Sequence, residues 1–193
     1  MDHRQQYRQA QLDLIETFED IKDEDLDLPT SCSEWTIRDI LKHVTDASYR
    51  QAATAGGEDY DPEKDPRLGN DPRREYPRAA EAAWKTHQGE ETLNKTITFA
   101  GAESPSWVAL SFQFTDVLIH IWDIRRALSQ PVALRPELVS EAIKVAKLIP
   151  EGDKFRGPGK PFGHVISTDS NSPQDKLLAL TGRSPAWSAP TAV

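Results

Sequence analysis

The chain has 193 residues, 37% of them hydrophobic and 28% charged, with a formal net charge of −8 and a single cysteine, Cys32. That length suits one domain with a sizeable core, or one domain plus a tail. The acidic balance argues against a nucleic-acid binder, which needs a basic face. One cysteine excludes an internal disulfide framework and makes a reducing cytoplasm the expected compartment. The polar start MDHRQQYRQA has no apolar h-region, so no secretory leader is expected, and no stretch of about 18 apolar residues predicts a membrane span.

Residues 4 to about 22 carry Tyr7, Leu12, Leu14, Ile15, Phe18 and Ile21 at helical spacing, which predicts a first helix ended by an acidic run and Pro29. That acidic run, Glu16 to Asp27, reads as a solvated helix end and loop. In TSCSEWTIRDILKHV, Thr36 is a good N-cap with Asp39 three residues on. Ile37, Ile40, Leu41 and Val44 then define one apolar face of a second helix. At ~100° per residue His43 falls roughly 100–120° from the centre of that stripe, on its flank. Alone it reads as a partly buried, hydrogen-bonded histidine.

GGEDYDPEKDPRLGNDP, residues 56–72, predicts a loop. Helical character returns from about Tyr76 to Leu93, with Gly89 a stop, and KTITFAG suits a short strand. In that helical region His87 stands among Lys85, Gln88 and Glu90 and is expected to be exposed; His3 lies in a terminus expected to fray. SPSWVALSFQFTDVLIHIWDIRRALSQP is the strongest helix, and PELVSEAIKVAKLIP opens another at Pro136. After Pro150 the chain becomes irregular, with one short helix expected from Asp175 to Thr181 and closed by Gly182. Four long helices plus shorter ones predict an all-α bundle over 1–149 and an irregular extension over 150–193 packed on it.

Within FTDVLIHIWDIRRAL, Asp116 and His120 interrupt the most apolar helix at i and i+4. An unpaired buried charge is expensive, so such residues are paired, neutralised or bound to a metal. A simple acid–imidazole pair is one reading. Two ligands of a metal site is the other, which requires a third ligand from another helix, His43 being the natural candidate. Asp123 reads as a helix salt bridge or as an orienting partner of a ligand. Arg125 and Arg126 read as charges favourable near a helix C-terminus or as binders of a substrate carboxylate. His164, with Arg156, could fold over such a site. Cys32 precedes a helix N-terminus, which can activate a thiol, though an inert cysteine is the simpler reading. Trp35, Trp107, Trp122 and Trp187 read as packing residues.

SEWTIRDILKHV resembles the helix-two signature of the DinB-like superfamily, in the branch holding mycothiol-dependent maleylpyruvate isomerase N-terminal domains. FTDVLIHIWDIRRAL is similar to its helix-four signature, and SPQDKLLALTGRSPAW to the ending of an uncharacterised, metal-binding subgroup. The resemblance implies a DinB-like four-helix bundle, up-down-down-up, and homodimers. It also implies a divalent metal, zinc first and nickel second, on His43, Asp116 and His120. The isomerase has glutamate where this chain has Asp116, one methylene shorter, so the reach to a metal changes. The isomerase also carries a C-terminal domain for which the chain past Pro150 is too short. The implied function is a metal-dependent transferase or isomerase acting on a small molecule with a low-molecular-weight thiol, mycothiol the model co-substrate. The alternatives are a non-catalytic metal- or small-molecule-binding protein, and a dimerising bundle with a vestigial site.

Overall fold

The computed structural model describes residues 2–32, 34–160 and 162–190. Residues 191–193, the end of the expected extension, lie outside them, as do Met1, Ser33 and Pro161. The described residues form seven α-helices and one two-stranded hairpin, and the fold is the expected all-α, DinB-like four-helix bundle with further short helices towards the C-terminus. No helix among the described residues is long and apolar enough to cross a membrane. The chain falls into two compact units, residues 1–20 with 38–117, and residues 21–37 with 118–193.

The first unit holds the bundle helices α1 (His3–Phe18), α2 (Ile37–Gly56, from Arg38), α3 (Pro72–Thr86) and the first half of α5 (Ser106–Ala127). Asp2 starts α1 by a capping box: its carboxylate accepts the Gln5 N–H at 3.0 Å while the Gln5 side chain accepts the Asp2 N–H. Tyr7, Ala10, Leu14 and Phe18 form the buried stripe of α1. It packs on α3, where Gln11 donates to the Ala80 carbonyl at 3.1 Å and the Phe18 and Tyr76 rings lie 5.3 Å apart. Three alanines of α3, Ala79, Ala80 and Ala83, are fully buried and allow this close approach.

α3 begins four residues before the expected Tyr76. Asp71 caps it and Pro72 takes the first position, where a missing N–H loses nothing. Pro77 sits inside the helix, and this interior proline is what obscured the start in the sequence. Gly89 separates α3 from α4 (Glu90–Asn94), and β1 (Thr96–Phe99) pairs antiparallel with β2 (Ala102–Pro105). His3 does not fray: its ring stacks on Trp107 at 5.1 Å and its Nδ1 meets Ser111 Oγ at 3.0 Å.

The second unit contains the rest of α5, α6 (Pro136–Ala146) and α7 (Pro173–Leu180). Residues 117–124 of α5 are buried without a break. α6 buries Leu138, Val139, Ala142 and Ala146 and packs on α7. The irregular segment after Pro150 is held by Arg156, which is buried and donates to the carbonyls of Ile149, Pro150, Gly163 and Leu180. α7 ends in a Schellman turn. Gly182 takes φ +82°, its N–H bonds the Ala179 carbonyl at 3.2 Å, and the Arg183 N–H bonds the Leu178 carbonyl at 2.8 Å. A Cβ on Gly182 would meet backbone of Gly163 at 2.4 Å, so only glycine fits there.

Candidate functional site

In the first unit, the flank position of α2 brings His43 to α5, where its Nε2 lies 2.9 Å from Asp116 Oδ2. Both side chains reach solvent, at 33% and 17% exposure. Fully buried phenols lie in the same unit. Burial pushes the Tyr7 hydroxyl up to about 12 and that of Tyr76 well above its ordinary value, and the Asp116 charge adds to both. Both phenols therefore remain neutral. The Tyr7 hydroxyl lies 3.3 Å from Ser48 Oγ. The Tyr76 hydroxyl and the Gln113 amide nitrogen are buried without a hydrogen-bond partner among the described residues. Gln113 stands three residues before Asp116, on the same face of α5.

His87, expected at the surface, is buried in this unit. As the C-cap of α3 its ring turns inward, with Nδ1 donating to the Ala83 carbonyl at 2.8 Å and Nε2 meeting Gln51 Nε2 at 3.1 Å and Ser106 Oγ at 3.3 Å. Burial lowers its pKa, against the bond to Ala83. Its polar neighbours in sequence are exposed, Lys85 in the last turn of α3, Gln88 just past the helix and Glu90 at the start of α4, while the His87 ring alone turns inward.

In the second unit, His120 Nδ1 lies 2.9 Å from Asp123 Oδ2, one turn on, with side-chain exposures of 3% and 0%. Ser31 donates a short hydrogen bond to the same carboxylate, the Cys32 thiol donates at 3.4 Å, and Arg183 Nη2 lies 3.2 Å away. Burial disfavours the Asp123 charge. The Arg183 cation and the bonds from His120 and Ser31 outweigh it and hold the carboxyl well below the usual range. Trp35 stacks against the His120 ring at 6.0 Å.

Ligand atoms of Cys32, His120 and Asp123 lie within 4.8 Å of one another, a spacing a metal could span. Arg183 already supplies the positive charge there, 3.0 Å from the sulfur and 3.2 Å from the carboxylate. A divalent cation would have to displace a guanidinium that is itself buried.

Of the other expected site residues, Arg126 donates to the Trp187 carbonyl and Arg125 is half-buried in the last turn of α5. His164 is exposed, its ring near Gly157. Arg156 is spent on the four backbone carbonyls described above rather than on a ligand. Arg183 and Ser31 escaped the sequence reading. The signal for Arg183 was the T-G-R ending of α7, where a helix-stopping glycine fixes the direction of the residue after it.

Two uncharacterized proteins of Mycobacterium tuberculosis, MT0763 and Rv0738, are each 30% identical to this chain over 184 residues, covering 95% of it and 98% of the relative. The crystal structure of the mycothiol-dependent maleylpyruvate isomerase superposes with a TM-score of 0.60 at 13% identity, over 75% of this chain and 66% of the isomerase chain. A crystal structure of a mutant of that isomerase matches equally, with a TM-score of 0.60 at 12% identity. The fold is thus shared at an identity too low to carry activity with it. Residues 7–125, which contain the His43–Asp116 pair and His120, match the mycothiol maleylpyruvate isomerase N-terminal domain, and the chain belongs to that family.

Proposed function

We propose that this protein is a divalent-metal-dependent, thiol-using transferase or isomerase, with His43, Asp116 and His120 as metal ligands. The observation that carries the reading is the His43–Asp116 contact of 2.9 Å, made between two helices by side chains that still reach solvent. His120 follows Asp116 by four residues on unbroken α5, so the two project from one face. A mixed imidazole and carboxylate set suits zinc, and nickel next. Three protein ligands leave a coordination position open, the pattern of a catalytic site.

When bound, such a cation lowers the pKa of a thiol or water at its open position and polarises a carbonyl. The rest is done by the chain. Asp116 from α5 and His43 from α2 would hold the cation. The neutral Tyr7 and Tyr76 phenols bring no second anion to compete for it. Gln113 and Tyr76 offer buried donors for the oxygen of a small-molecule substrate. The thiol of the family name, mycothiol, is the co-substrate this reading favours, and the family supports the broader class of thiol-linked isomerase or transferase.

Metal content by elemental mass spectrometry on untagged protein tests this reading. Near-stoichiometric zinc or nickel is expected in the parent, and little in His43→Ala and His120→Ala. A parent that is empty and takes up no added zinc overturns it.

A further inference from the structure

Residues 57–71 join α2 to α3 within the first unit, and both ends of this loop are anchored. At its start Gly57 takes φ +84°, and Lys95 Nζ donates to the Ala55 carbonyl at 3.2 Å beside it. A Cβ on Gly57 would meet that Nζ at 2.7 Å. At the far end the Arg67 guanidinium lies 3.6 Å from the centre of the Tyr49 ring, and Asn70 donates to Glu75 at 3.1 Å. Glu75 is buried, and Tyr49 and Arg78 donate to it as well. Between these anchors Tyr60 turns back to α2. Its hydroxyl donates to Asp46 Oδ1 at 2.9 Å. Arg50 donates to Asp46 Oδ2 at 2.9 Å and lies 5.4 Å from the centre of the Tyr60 ring. Partial burial and the bond to Asp46 push the Tyr60 hydroxyl above its ordinary value, so it stays a donor.

Asp46 stands three residues after His43 on α2, and Arg50 four further on, so the three share one stripe of that helix. Side chains at i and i+3 are neighbours, about 5–6 Å apart at Cβ. The clasp on Asp46 therefore holds the middle of the loop one helical turn from His43, the partly exposed partner of Asp116. We propose that residues 57–71 are a strap over the approach to His43 and Asp116, with the Tyr60–Asp46 bond as its latch, so that Tyr60 controls what reaches the pair. This rests on the preceding subsection for the ligand, and on the loop alone for the latch. The two kinds of contact divide the work. Tyr49 and Glu75 are buried, which keeps the far end of the strap in place. Asp46 and Arg50 are 23% and 52% exposed, so water takes over the bonds of the clasp at little cost. Opening thus frees the middle of the strap and leaves its ends where they are.

Metal-free protein tests the latch without reference to any cation. Hydroxyl-radical footprinting, read by peptide mass spectrometry, measures the exposure of the His43 side chain. Its 33% exposure leaves room for a rise of at most about threefold. Tyr60→Phe keeps the ring and removes the donor, and Asp46→Leu removes the acceptor that Tyr60 and Arg50 share. Each is expected to raise His43 oxidation about twofold and to speed amide exchange over residues 58–64, with exchange over 67–71 unchanged. His87, buried in the same unit, is the control and should stay unreactive. Unchanged His43 oxidation in the folded variants overturns the proposal. So does a rise that His87 shares, because the whole unit has then loosened and no latch has been opened. Zinc is the separate arm. A parent that takes up none removes the metal reading, while the footprint still decides the latch. In a parent that binds zinc, Tyr60→Phe should take it up faster and reach the same final content, and an unchanged uptake rate overturns the control of entry.

Discussion

Asp116 and Asp123 stand seven residues apart on α5, on one face of the helix, and each is paired with a histidine at 2.9 Å. The two pairs are otherwise unlike. Asp116 meets His43 from another helix, and both reach solvent. Asp123 meets His120 from its own helix, both are sealed from solvent, and an arginine, a serine and a thiol complete its surroundings. Burial turns the second pair into a fixed frame, because every charge in it must be answered by the protein. Exposure leaves the first pair cheap to open and accessible to a ligand from solution.

The comparison breaks most sharply if the frame is dismantled from one side. Asp123→Ala leaves Arg183 buried without its counter-charge, and about 3–5 kcal/mol of unfolding free energy should be lost. Urea denaturation of metal-free protein measures this. A loss below about 1 kcal/mol would mean that the second pair is no frame at all.

Gly182→Ala attacks the same frame through the backbone. The φ of +82° and the 2.4 Å approach to Gly163 both forbid a Cβ, and a cost of about 2–4 kcal/mol is expected. Gly152→Ala is the control: a Cβ there meets nothing within 4 Å, and the change should stay within about 0.5 kcal/mol. Equal melting temperatures for the two variants would contradict the close packing at Gly182.

pH separates the buried groups further. The Asp123 carboxyl is held below its unfolded value of about 3.9, so the stability it carries is complete above that pH. It is lost as pH falls through the lower folded value. His87 acts at a milder pH. Burial lowers its pKa, so below about 6.5 the unfolded chain binds a proton that the folded chain refuses. Stability should therefore start to fall below about pH 6.5, before the carboxylates titrate. In His87→Gln that early slope should flatten while the acid loss below about pH 4 remains. An unchanged slope in chemical denaturation at several pH values would remove His87 from the account.

Much of this was legible in the sequence, and the reasons are local. Ile37, Ile40, Leu41 and Val44 repeat at the helical period, and α2 follows. Asp116 and His120 stood out because charge interrupts an apolar run, and His43 because it flanks a core stripe. The start of α3 was hidden by Pro77, an interior proline that packing tolerates. His87 was misjudged because its neighbours in sequence are polar, whereas burial is decided by the face it turns to. Arg183 and Ser31 were invisible for a different reason. Their role exists only through Asp123, which is 60 residues from one and 92 from the other, and no spacing rule reaches that far.

Of the two aspartate–histidine pairs, the smaller effect on stability is expected where the larger effect on metal is. His43→Ala removes a partly exposed imidazole from a partly exposed carboxylate, and such pairs are worth about 0–1 kcal/mol. The Tyr7 and Tyr76 phenols are neutral whether or not His43 is present, so Asp116 gains no new repulsion from them. Metal-free His43→Ala should thus unfold within about 1 kcal/mol of the parent in urea while taking up little zinc. If it loses as much stability as Asp123→Ala, then His43 and Asp116 form a second frame. The first pair would then be structural, and its solvent exposure would carry no meaning for a ligand.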